Sequence, residues 1–76
     1  MKIEILGTGC SKCKSTEKIV KKVVEELGTN AEVVKVEDLQ EIMNRGVMMT
    51  PAVVIDGDVK IVGHVPSADE IKKLLK

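Results

Sequence analysis

The chain contains no Phe, Tyr or Trp. Its interior must therefore be built from Val, Ile, Leu and Met, and the aromatic platforms on which nucleobases stack are missing. An excess of either charge is missing too: twelve basic residues balance twelve acidic ones, which leaves no general phosphate-binding face. Nucleic acid is thus excluded as an expected partner. No stretch approaches the roughly 20 apolar residues of a membrane helix, and Met1 to Leu6 has no long apolar signal segment. The expectation is a cytoplasmic protein with no membrane partner. At seventy-six residues, a chain that hides only about 60% of its unfolded surface on folding has room for one domain, residues 1–76.

Cysteine is scarce but not scattered. Cys10 and Cys13 are the two cysteines, two residues apart. In a reducing compartment such a pair is more often catalytic, redox-sensing or metal-binding than a structural staple, and a loop this short contributes little stabilising entropy when closed. By itself the spacing is shared by redox chemistry, soft-metal binding and inert packing. A closed zinc site normally takes four ligands, and beyond the two cysteines only His64 is a strong candidate, so one chain does not complete it.

The surrounding pattern places the pair. Met1 to Leu6 carries Ile3 and Ile5 and stops at Gly7-Thr8-Gly9, which reads as a short strand. From Ser11 to Leu27, residues Ile19, Val20, Val23, Val24 and Leu27 recur on one face of a helix that Gly28 ends. Lys12, Lys14, Lys18, Lys21 and Lys22 take its solvated side. Ala31 to Val36 reads as a β-branched strand. Asp38 and Glu41 open a short helix with Leu39, Ile42 and Met43 on its apolar side, ending at Gly46. Ala52 to Ile55 and Val59 to Val62 flank Asp56-Gly57, a hairpin signal. Ser67 and Glu70 form a capping box before a last helix that carries Ala68, Ile71, Leu74 and Leu75 on one face. The order is β-α-β-α-β-β-α, an α/β chain.

Cys10 then falls at the start of the first helix and Cys13 nearly one turn inside. Their α-carbons should lie within the roughly 4.4–6.8 Å that a disulfide tolerates. Unpaired N–H groups and the positive helix end favour an anion at Cys10, whereas Cys13 should be better shielded. Cys10 is therefore the expected nucleophile. Lys12 is a candidate electrostatic neighbour, although an ammonium directed to bulk water has little influence.

Cys10-Ser11-Lys12-Cys13 opening a helix after a strand, Thr50-Pro51 before a hairpin, and Gly63 before the last helix together resemble the thioredoxin superfamily. The resemblance is to its small, glutaredoxin-sized, archaeal-type members, the small redox-active disulfide proteins, and it covers nearly the whole chain. It implies a three-layer α/β/α fold with a four-stranded mixed sheet in the order 4-3-1-2, strand three antiparallel to the rest. It also implies a cis bond before Pro51, facing the disulfide, where the Thr50 backbone pairs with an extended substrate segment. The implied activity is thiol–disulfide oxidoreduction without a cofactor, the Cys10–Cys13 disulfide being the redox centre. The implied partners are a disulfide-containing client and a reductase that donates electrons, with the protein acting as a monomer. Neither Trp-Cys-Gly-Pro-Cys nor Cys-Pro-Tyr-Cys is present, so no redox potential carries over.

Other residues take their meaning from that frame. Glu4, six residues before Cys10, stands where thioredoxins carry a buried acid that assists proton transfer, while a Glu in a short strand ordinarily faces solvent. Met49 and Met48 are candidates for an apolar landing surface, with one of them expected in the core. Gly63 allows close backbone approach, and His64 is expected at the surface. The rival from another class is a soft-metal transfer module similar to the heavy-metal-associated domains, binding copper or zinc through Cys10 and Cys13. Their order is β-α-β-β-α-β, however, whereas this chain ends in a helix. A docking module switched by its disulfide is the third reading.

Overall fold

The computed structural model describes residues 1–75. Seven elements follow one another: β1 (Lys2–Leu6), α1 (Ser11–Leu27), β2 (Glu32–Val36), α2 (Leu39–Asn44), β3 (Ala52–Ile55), β4 (Asp58–Val62) and α3 (Ala68–Leu75). The four strands form one sheet in the order β2-β1-β3-β4, the expected order read from the opposite edge. β1 runs parallel to β2, and β3 is antiparallel to both β1 and β4. The fold is the expected thioredoxin-like α/β arrangement.

Strand alternation sorts the core into two layers. Ile3 and Ile5 of β1, with Val53 and Ile55 of β3, face α1 and α3, where Val20, Val23, Ile71 and Leu75 close a buried cluster. Leu6, Ala52 and Val54 project the other way and meet Ile42 and Val47 in a smaller one. Among the described residues, the buried cluster on that second face takes one helical residue, Ile42 of the six-residue α2. This accounts for several departures from the sequence pattern. Leu39 and Met43 remain about 60% exposed, and of the apolar residues on α2 only Ile42 is buried. Val62, opposite Ala52, and Val59, opposite Val54, are also exposed, because β4 is an edge strand on the thinly covered side. An irregularity in the pairing between Val53 and Val54 leaves Ile61 as the one buried residue of β4. Ala68 is exposed as well, and α3 turns Ile71 and Leu75 inward instead.

Local chemistry sets the ends of the elements. Gly28 closes α1 at φ 62°, and the N–H groups of Gly28 and Thr29 donate to the carbonyls of Glu25 and Val24. Ser67 and Glu70 exchange the two hydrogen bonds of a full capping box. Asp38 supplies only half of one, accepting from the Gln40 N–H at 2.9 Å. Asp56 (φ 49°) and Gly57 (φ 88°) both take positive φ, as a two-residue hairpin turn of the favoured hand requires. Asp56 also ties the hairpin to β1, its N–H donating to the Lys2 carbonyl and its carboxylate accepting from the Lys2 N–H, each at 2.8 Å.

Candidate functional site

β1 ends at Leu6, and the chain crosses Gly7-Thr8-Gly9 before α1 begins. Gly9 takes φ 91°, a conformation costly for other residues. Cys10 is the N-cap of α1: its backbone is extended (φ −69°, ψ 166°), and its sulfur accepts from the Cys13 N–H at 3.3 Å. Its carbonyl accepts from the Lys14 N–H at 3.0 Å, the first turn of the helix. A thiol in the position usually held by Ser or Asp thus satisfies one of the orphan N–H groups of a helix start, as a thiolate does better than a thiol.

The two sulfurs lie 2.6 Å apart, in very different surroundings. Cys10 is exposed, whereas Cys13 is buried at 5% exposure. The hydrogen bond from the Cys13 thiol, followed by the Cys13 backbone N–H, pulls the Cys10 pKa below the ordinary thiol value. Burial, followed by that same hydrogen bond, pushes the Cys13 pKa above it. Lys12 takes part through its backbone N–H, while its side chain is solvent-exposed.

Gly7 makes the burial of Cys13 sterically feasible. A Cβ on Gly7 would lie within 2.8 Å of the Cys13 Cβ and closer still to its sulfur, contacts that real atoms do not make. The sequence pattern marks Gly7 only as a strand terminator, and its packing role becomes legible once Cys13 is known to point back at β1. Thr16, one turn on, is fully buried and donates to the Lys12 carbonyl at 2.9 Å.

The Thr50–Pro51 bond is cis, and Pro51 is buried at the mouth of β3. Gly63 (φ 79°) donates its N–H to the Pro51 carbonyl at 2.9 Å, and a Cβ there would meet Met49 at 3.3 Å. Gly63 therefore permits close approach, with Met49 its neighbour. Neither Met48 (87% exposed) nor Met49 (61% exposed) fills the core, contrary to expectation, because Val47 and Ile42 already close the smaller cluster. A hollow of about 240 Å³ has Thr8, Leu39, Ile42, Met43, Val47, Met48 and Thr50 in its wall. It joins the turn before Cys10 to the segment before Pro51. His64 is exposed, as expected, with Nε2 3.3 Å from the Glu70 carboxylate.

Glu4 departs furthest from the sequence reading. It does not face solvent but is 5% exposed, on the face of β1 that carries Leu6. Both of its oxygens are taken by Arg45 at the end of α2, Nη1 donating at 2.7 Å and Nη2 at 2.5 Å. The Arg45 guanidinium outweighs burial and holds the Glu4 carboxyl below the usual carboxylate range. A carboxylate so held is a poor proton carrier near neutral pH, which runs against the proton-transfer role. Arg45 is a residue the sequence reading did not single out, although it is the only arginine among twelve basic residues.

Among the described residues, no group of three or more His, Cys, Asp or Glu is arranged to hold a metal ion, and no helix is long and apolar enough to cross a membrane. The family model described as a thioredoxin domain matches residues 1–76. A thioredoxin of Methanothermobacter thermautotrophicus is 44% identical over 75 residues, covering 99% of this chain and 97% of that protein. A thioredoxin of Methanocaldococcus jannaschii is 51% identical over 74 residues, covering 97% and 85%. A second thioredoxin of the same organism is 30% identical over 80 residues, covering 100% and 93%.

Proposed function

The chain belongs to the thioredoxin family, and from that premise we propose how its thiol–disulfide oxidoreductase chemistry is carried out. Cys10, as thiolate, attacks one sulfur of a client disulfide; the client's S–S bond breaks and a mixed disulfide forms on Cys10. Cys13 then loses its proton and attacks the Cys10 sulfur, forming the Cys10–Cys13 bond and releasing the second client thiol. Two electrons have passed to the client. A reductase returns two electrons and two protons to restore the dithiol.

The observation that carries this reading is the opposed environment of two adjacent thiols. One is exposed and acidified, the other buried and kept protonated. Nucleophile and resolving thiol are thus distinguished by burial and hydrogen bonding. In the same reading the Thr50 backbone, ahead of Pro51, receives an extended segment of the client by strand addition, with Met49 as an apolar contact and Gly63 bracing the Pro51 carbonyl. Lys12 acts through its N–H on the Cys10 sulfur. Residues 1–76 work as one monomeric unit in the reducing cytoplasm, where a cysteine pair of this kind cycles instead of remaining closed.

A cysteine series tests the assignment. Cys10→Ser should abolish reduction of a protein disulfide, and Cys13→Ser should accumulate mixed disulfides with the client. Trapping of clients by the Cys10→Ser protein would overturn it.

A further inference from the structure

We propose that the Glu4–Arg45 ion pair is a positioning device: it fixes the Met48–Thr50 segment relative to Cys10, so that a bulky client meets the reactive sulfur in the right place. The inference rests on the reading that this segment receives the client backbone.

Three observations lead to it. Glu4 stands in β1, the strand hydrogen-bonded on both sides, paired with Val34 of β2 and Val54 of β3. That strand is held by neighbours on either side, and Cys10 follows six residues later. Arg45, at the other end of the contact, terminates α2, its own N–H donating to the Glu41 and Ile42 carbonyls at 3.2 Å. The chain then turns at Gly46 (φ 77°), buries Val47, and reaches Met48, Met49 and Thr50. Guanidinium and reactive segment are thus only a few residues apart.

The far end of this segment is held where Pro51 is buried and Ala52 pairs with Leu6 of β1, whereas its α2 end rests on the buried Ile42 and Val47. A helix of six residues is not stable on its own propensity, and α2 buries one side chain, Ile42. Met48 and Met49 are mostly exposed. The bidentate pair, joining residues 41 positions apart, is a directional link between the α2 end of this segment and the central strand, beside the β1–β3 pairing that begins at Ala52. The planar fork of an arginine fixes both distance and angle, which the flexible ammonium of a lysine does not. With both oxygens occupied, Glu4 anchors the segment and takes no part in proton transfer.

The test compares two substrates of the full chain: insulin, whose disulfide must be reached through a peptide segment, and dithiobis-nitrobenzoate, a small aryl disulfide that needs no such docking. Removing one partner leaves the other charge poorly compensated, so the variant is the double one, Glu4→Leu with Arg45→Met, checked for folding by far-UV circular dichroism. The ratio of the insulin rate to the aryl-disulfide rate should fall roughly tenfold, a part of the about 100-fold that a 1 Å misplacement can cost. Arg45→Lys keeps the charge and loses the fork; it should lower the ratio in the same direction, and it carries the test alone if the double variant does not fold. An unaltered ratio in these variants, or a wild-type ratio in Arg45→Lys, overturns the positioning role. Pro51→Ala separates the two levels. A ratio that falls for Pro51→Ala but not for the pair variants defeats this inference alone, whereas a ratio that falls for none of them defeats the client-segment reading beneath it.

Discussion

A thiol at a helix start takes the same N–H groups that a serine or aspartate would cap, and at Cys10 the hydrogen bond from the Cys13 thiol, followed by that N–H contact, acidifies the sulfur. Cys13 needs the opposite setting, and Gly7 supplies the room for it. Gly7→Ala should therefore push Cys13 out of place: the mixed disulfide formed on Cys10 should persist longer in quenched-flow trapping, and the melting temperature should fall. Gly46→Ala is the contrast, because nothing lies within 4 Å of a Cβ there and only the positive φ is strained. That change should cost about 1 kcal/mol and leave resolution of the mixed disulfide intact. The proximity and asymmetry of the cysteines were legible once the strand and glycines before them put their two-residue gap at a helix start. The partner of Glu4 was not. Nothing local links residues 4 and 45, and only the meeting of α2 with the central strand brings them together.

At the scale of elements, the α3 terminus offers a clean measurement. Ser67 and Glu70 satisfy each other's backbone N–H groups, so Ser67→Ala should destabilise the protein by about 1 kcal/mol in urea titration. Ile71→Ala, which empties a fully buried position between α3 and the sheet, should cost about 3 kcal/mol in the same experiment. The long helix and the hairpin were readable because each carries redundant signals: a 3.6-residue apolar face closed by Gly28, and β-branched runs around Asp56-Gly57. The short elements were less so. In α2 the apolar residues Leu39, Ile42 and Met43 fit a helical face, yet a single turn and a half cannot bury all three, and two are left at the surface. Met48 and Met49 illustrate the same limit, since a methionine's composition fits core and rim equally well.

For the whole molecule, two apolar clusters of unequal size lie on either side of the sheet, and the weaker side carries the charge pair of buried Glu4 and half-buried Arg45. This gives stability a defined acid limb. The Glu4 pKa is depressed in the folded state, so the contribution of the pair is present above the ordinary carboxyl value and is lost as pH falls through the lower folded value. Urea midpoints should drop as pH is lowered from the ordinary carboxyl value of 4.5, and the double variant Glu4→Leu with Arg45→Met should show a smaller drop over the same range. An equal drop in both proteins would mean that other carboxylates dominate acid unfolding.

The most direct measurement of the central claim is the alkylation rate of each cysteine in the reduced protein as a function of pH, with the two sites resolved by peptide mass spectrometry. Cys10 should react first, its rate rising with a midpoint below the ordinary thiol value, and Cys13 should stay protected until well above it. Two sites reacting at the same rate with the same midpoint, or Cys13 reacting ahead of Cys10, would contradict the account.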